Sequence, residues 1–148
     1  MITGGCQCGA VRYRIERLDG ALVCHCRMCQ KATGSLFAPL VVAHGVTWQG
    51  DERGLFASSN VSNRGFCKTC GTPISLETDD QFEMMIGTLD DPSLAPPTQQ
   101  ANPNDRLACF AQLSTLPNSS PEQTAENIAW NDKVVSYQHP YNEREDAG

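Results

Sequence analysis

The chain has no apolar run approaching the ~20 residues of a membrane span, so no membrane partner is expected. Its opening residues, Met1-Ile2-Thr3-Gly4-Gly5, show no basic region followed by an apolar stretch, so no signal peptide is expected and the reading is cytoplasmic. No internal repeat of solenoid length is present. Excess positive charge is missing too: the formal net charge is −6. That argues against a general nucleic-acid binder, whose affinity rests on neutralising phosphates with Lys and Arg. Aromatic residues are scarce, at 7% of a chain that is 40% hydrophobic. At 148 residues these figures suit one domain with a modest core. The charge is uneven. Residues 1–76 carry a net +4 and residues 77–148 a net −10, and the acidic half reads as solvated surface.

Cysteine is abundant. Seven of the eight cysteines fall into short-range groups: Cys6-Gln7-Cys8, Cys24-His25-Cys26-Arg27-Met28-Cys29 and Cys67-Lys68-Thr69-Cys70-Gly71. Soft thiolates at such spacings suit Zn²⁺, which takes four tetrahedral ligands in a structural site and three plus an open position in a catalytic one. Seven thiols divide naturally into four and three. Cys6, Cys8, Cys67 and Cys70 read as one closed site, and Cys24, Cys26 and Cys29 as one open site. Residues i and i+2 of a strand share a face, so Cys6 and Cys8 are expected to grip an ion from an extended segment. Cys67 to Cys70 reads as a zinc knuckle, with Gly71 free to take the positive φ such turns often need.

Spacing alone also admits other partitions of the seven. Three competing readings stand beside the two-site one: a disulfide scaffold, two purely structural zincs, and a single Cys₄ site with redox-active thiols left over. A reducing cytosol weighs against the first. Cys109 sits in Leu107-Ala108-Cys109-Phe110-Ala111 and reads as a small buried hydrophobe. A fourth ligand to the central metal is its lesser reading.

Many short strands separated by Gly, Pro and Asp turns predict an antiparallel β fold. Val11, Tyr13 and Ile15 alternate with Arg12, Arg14 and Glu16, the period of a half-buried strand. Leu18-Asp19-Gly20 reads as a hairpin turn into a short strand over 21–23 that delivers Cys24. Residues 28–33 suit one or two helical turns stopped by Gly34. Backbone N–H groups near Cys29 would then face the metal region, with Gln30, Lys31, Thr33 and Ser35 as neighbouring polar side chains. Further strands are expected over 37–42, 46–48, 55–58, 73–77, 82–89 and 107–113. Pro39 suggests an edge or a bulge in the first of these. Residues 90–105 read as a loop. Ser120-Pro121-Glu122-Gln123 is a helix start, with a Ser cap, Pro at the first position and Gln three residues after the cap, for a helix to about residue 130. The domain is expected over 1–138, with a flexible tail over 139–148.

Three ordered blocks carry a family resemblance. They are Gly4-Gly5-Cys6-Gln7-Cys8-Gly9-Ala10-Val11-Arg12-Tyr13, then Cys24-His25-Cys26-Arg27-Met28-Cys29-Gln30-Lys31-Ala32-Thr33-Gly34-Ser35, then Ser58-Ser59 with Arg64-Gly65-Phe66-Cys67-Lys68-Thr69-Cys70-Gly71-Thr72. Over roughly residues 3–90 the chain resembles the glutathione-dependent formaldehyde-activating enzyme family, whose members include centromere protein V-like domains. The resemblance implies a mainly β fold, a zinc-bound antiparallel β-sandwich of the Mss-four-like type, here with a short C-terminal helix. It implies two Zn²⁺ per chain: a structural ion on the residues matching Cys6, Cys8, Cys67 and Cys70, and a catalytic ion on those matching Cys24, Cys26 and Cys29. The implied activity is that of a carbon–sulfur lyase joining formaldehyde and glutathione reversibly as S-hydroxymethylglutathione, so the implied partners are a glutathione-like thiol and an aldehyde. His25 is a candidate proton relay, with a structural role as its alternative. The C-terminal third departs from the family, because Gln99 to Asn118 does not align with the His- and Trp-bearing closing segment found in many members. A non-catalytic zinc module, binding a partner or sensing thiols or metals, is the alternative function.

Overall fold

The strands fall into two sheets according to which side chains they bury. The computed structural model describes residues 1–139. In chain order it contains β1 (Ile2–Gly5), β2 (Val11–Ile15), β3 (Arg17–Cys24), α1 (Arg27–Thr33), β4 (Ala38–His44), β5 (Thr47–Gly50), β6 (Gly54–Ala57), β7 (Asn63–Phe66), β8 (Pro73–Glu77), β9 (Phe82–Met85), β10 (Gln99–Ala101) and α2 (Pro121–Asn131). A three-stranded sheet has the order β1-β2-β5, and a seven-stranded sheet the order β10-β3-β4-β9-β8-β7-β6. Every pairing is antiparallel except that of β10 with β3.

The core lies between the sheets. Val11, Tyr13 and Ile15 of β2 are buried, as their alternation predicts, and cluster with Val41, Ala43, Ile74 and Met84 of the larger sheet. Burying one such aliphatic side chain is worth about 1.5–3 kcal/mol. Trp48 meets the Tyr13 ring edge-on at 5.7 Å.

The other face of the larger sheet carries a second cluster, with Cys24, Cys29, Ala38, Leu40 and Met85. Register places Phe56, Arg64, Leu76 and Glu83 side by side on adjacent strands. Directly opposed residues share a face, and alternation puts Glu83 and Met85 on the same one. The central cysteines, Arg64 and Phe56 therefore all belong to the face turned away from the smaller sheet.

Several elements follow their sequence signals closely. Strand β8 has the expected limits, and α1 ends at Gly34 with φ +64°. Helix α2 starts with a complete capping box between Ser120 and Gln123.

Others depart. Strands β2 and β3 do not form a hairpin: β2 pairs with β1 and β5, while β3 pairs with β4 and β10. Gly20, at φ +47°, instead sits at a register shift within β3 between Asp19 and Ala21. Pro39 lies in an interior strand, but the pairing of β4 with β9 begins only at Leu40, so Pro39 is paired on one side alone. The strand expected over 82–89 stops at Met85 and continues as a 3₁₀ turn, Ile86–Thr88. The region read as a loop over 90–105 supplies β10.

Residues 107–113 are not a strand. Ala108–Thr115 is a 3₁₀ helix with no buried residue, and Cys109 is exposed rather than buried. Strand β10 occupies the β3 edge of the large sheet, so this apolar segment has no edge to join there. Among the described residues no helix is long and apolar enough to cross a membrane. The tail expected over 139–148 lies, apart from His139, outside the described residues.

Candidate metal centres

Two turns bring the outer cysteines together. Cys6 and Cys8 lie in the turn between β1 and β2 rather than in an extended segment; Cys6 N–H donates to Val11 O at 2.9 Å and Gly9 N–H to Cys6 O at 3.1 Å. The second turn, between β7 and β8, is the expected knuckle. Gly71, at φ +76°, donates its N–H to Cys67 O at 2.9 Å. Gln7 N–H donates to Thr72 Oγ1 at 3.1 Å and joins the two turns. The sulfurs of Cys6, Cys8, Cys67 and Cys70 all lie within 4.8 Å of one another. One turn belongs to each sheet, so this group fastens the two layers.

The central trio lies at the β3–α1 junction. Cys24 ends β3, Cys26 is the N-cap of α1, and Cys29 is in its first turn. Cys26 Sγ accepts the Cys29 N–H at 3.4 Å, the bond that a capping side chain makes. The three sulfurs also lie within 4.8 Å of one another, and no fourth His, Cys or carboxylate joins them among the described residues. Cys109 belongs to neither group.

The donor sets fit a soft metal ion. All eight cysteines are free, so no disulfide relieves the crowding of the sulfurs. Burial pushes the Cys70 thiol up, but N–H and hydroxyl groups of Thr72 and neighbours outweigh it and draw the pKa down to about 6. A backbone N–H from Ala10 lowers Cys8, yet burial and the adjacent sulfurs win and push it up to about 12. In the trio, burial and neighbouring thiols push Cys29 up to about 12 against the pull of Arg64. Cys24 is raised by burial but lowered overall by the Cys26 backbone and Asn102. Sulfurs packed this closely resist ionising together, and a divalent cation among them removes the conflict. All-sulfur donors are consistent with zinc.

Sequence reasoning did not assign three side chains that shape the trio. Asn102 Nδ2 donates to Cys24 Sγ at 3.2 Å, and Arg64 Nη2 to Cys29 Sγ at 3.5 Å. Gln100, on β10, contacts His25 Nε2 at 2.9 Å. Arg64 falls inside a recognisable motif block, three residues before Cys67. The polar segment containing Gln100 and Asn102 carries no such signal.

His25 is fully buried and is not a member of the sulfur group. Its ring packs edge-on against Phe110 at 4.6 Å and Phe37 at 6.2 Å. Gln30 Nε2 donates to the His25 carbonyl at 2.7 Å and further fixes the loop.

A crystal structure of a Rhodobacter sphaeroides protein resembles this one with a TM-score of 0.53 at 23% identity, covering 67% of this chain and 99% of that one, and shows a shared fold. No curated protein matches the chain. The family model described as glutathione-dependent formaldehyde-activating enzyme matches residues 1–105, which hold both cysteine groups and both sheets, and the chain belongs to that family.

Proposed function

We propose that the chain is a zinc-dependent carbon–sulfur lyase that makes and breaks a thiol–aldehyde adduct, with two Zn²⁺ per chain. The observation that carries this reading is the contrast between the two sulfur groups. Four cysteine sulfurs converge in one group, whereas Cys24, Cys26 and Cys29 converge with no fourth protein ligand among the described residues. A closed set is structural and an open one leaves room for substrate.

The net reaction adds a thiol S–H across an aldehyde C=O. A carbon–sulfur bond forms, the carbonyl π bond breaks, and the proton moves from sulfur to oxygen; the reverse step releases both partners. Zinc on the trio would supply an electrophilic position that acidifies a thiol near neutral pH. The chain's own residues hold that position in place. Asn102 and Arg64 donate to Cys24 and Cys29, fixing the sulfurs and drawing off part of their charge.

His25 enters as the proton relay candidate; its Nε2 meets Gln100 Oε1 at 2.9 Å, an oxygen that also accepts from Arg106 Nη1 at 3.1 Å. Turnover by His25→Ala that matches the parent from about pH 6 to 8 removes it from the relay and leaves it a packing role.

Glutathione and formaldehyde are the pair to test first, since the family description names them. Exchange NMR on labelled formaldehyde with glutathione compares zinc-loaded protein with metal-stripped protein. Interconversion accelerated only by the zinc-loaded sample supports the lyase. No acceleration with two zincs bound rejects this pair and moves the reading to another thiol adduct or to a binding or sensing module.

A further inference from the structure

We propose that a groove between α1 and strands β6 to β8 is a carboxylate-binding subsite, built from Arg64 and Lys31, for an acidic thiol substrate. The inference rests on the lyase reading, because it takes the thiol to sit at Cys24, Cys26 and Cys29. The groove has a volume of about 430 Å³, within the ~300–1,000 Å³ usual for small-molecule sites. Met28, Phe56, Phe66 and Met85 give it apolar walls, and Arg64 and Lys31 are its cations.

Arg64 is the main argument. It is 8% exposed, and a charged side chain is seldom buried so far without a full set of partners. Its Nη2 reaches Cys29 Sγ at 3.5 Å, whereas its Nη1 is buried with no hydrogen-bond partner among the described residues. A donor left in that state is costly, because the water it gave up on burial is not replaced. Glu83, on the same face, feels the charge of Arg64, but it does not satisfy Nη1. Lys31 stands in the last turn of α1, on the groove lining. It forms no ion pair with another described residue.

An unfilled guanidinium donor and an ammonium on the lining of one groove call for an anion, and a guanidinium fork matches a planar carboxylate. One guanidinium touches the cysteine group and lines the groove. The acid therefore stands only a few bonds from the reacting sulfur, with the intervening carbons against the methionine and phenylalanine walls.

The test uses 3-mercaptopropionate and its uncharged amide, 3-mercaptopropionamide, titrated calorimetrically into zinc-loaded protein. The acid is expected to bind at least ~10-fold more tightly, the scale of a hydrogen bond to a charged group. The same titrations on Lys31→Ala and Arg64→Lys should shrink that ratio, while the amide's affinity for Lys31→Ala stays at the parent value. Lys31 is exposed, so its variant keeps the test decisive if Arg64→Lys does not fold. Equal binding of acid and amide overturns the subsite while leaving the thiol site standing. A ratio unchanged in Lys31→Ala removes Lys31 from the subsite. If neither thiol binds, the open-site reading fails and the subsite with it.

Discussion

Replacing Cys67 by Ser is expected to unfold or nearly unfold the protein, while replacing Cys26 by Ser leaves the fold in place. Cys67 is 1% exposed, and its group joins a turn of one sheet to a turn of the other. The cross-link from Cys8 to Cys67 spans 59 residues, whereas the trio closes a loop of only about five. Loop-closure entropy alone makes the long link worth about 2 kcal/mol more than the short one. Structural zinc contributes ~10–16 kcal/mol in small domains, so an even share for one of four ligands is about 3–4 kcal/mol. A buried serine hydroxyl without a partner adds about 1–3 kcal/mol of cost. The total, about 4–7 kcal/mol, is comparable with the whole stability of a typical domain. At about 3 °C per kcal/mol for a chain of this size, the melting temperature should fall by about 12–20 °C. Cys26 presents the opposite case. It is half-buried and caps α1, and Ser is a favoured capping residue, so the helix start survives. Thermal melts by circular dichroism, read alongside zinc content, separate the two. Equal melting temperatures for Cys67→Ser and the parent, or a collapse of Cys26→Ser, would refute this division into structural and open sites.

Three further outcomes are expected. Burial pushes Glu77 up, but bonds from Arg53 at 2.7 and 2.8 Å and from Ser75 at 2.6 Å hold its carboxyl below the usual range. Its stabilisation is therefore complete above the unfolded-state pKa of ~4.3 and is lost as pH falls through the lower native value. Glu77→Gln should be less stable than the parent near neutrality, with the difference narrowing in acid; a pH-independent difference in denaturant melts contradicts this. Gly4→Ala places a methyl against the Tyr13 hydroxyl and the Thr88 carbonyl, and should cost about 1–3 kcal/mol, read as a lower denaturation midpoint. An unchanged midpoint would show that β1 yields easily. In zinc-loaded protein, iodoacetamide should label exposed Cys109 first, and peptide mapping that finds a ligand cysteine labelled earlier would argue against bound metal.

The cysteine groups were legible because their parts, the Cys6/Cys8 and Cys67/Cys70 pairs and the Cys24/Cys26/Cys29 trio, are each close in sequence, and short turns leave few geometries; the fold then brings the two pairs together. Strand β2 and helix α2 were legible for the same reason: alternation in one and a capping box in the other are local signals. Choices made at long range were not. Asp19-Gly20 has a hairpin's composition, but β2 pairs instead with β5, whose residues lie 33 to 39 positions further along the chain. Strand β1 escaped notice because Gly4 and Gly5 weaken a strand signal; the first is there for the close approach of Tyr13. Strand β10 is Gln99-Gln100-Ala101, polar and flanked by prolines, and its place comes from the free edge of β3. Residues 107–113 look like a core strand by composition, yet only Phe110 finds an aromatic setting, against His25 and Phe37. In the site, Arg64 and Asn102 meet the cysteines only through the register of distant strands and loops, which no spacing rule encodes.

The central claim is that one sulfur group is closed and the other open to an exogenous thiol. Cobalt-substituted protein titrated with glutathione tests it directly, because sulfur-to-cobalt absorption reports each ion's ligands. The account predicts that the spectrum of one cobalt changes, that the change disappears in Cys26→Ser, and that the other cobalt is unmoved. A spectrum that glutathione leaves wholly unchanged would contradict the open site.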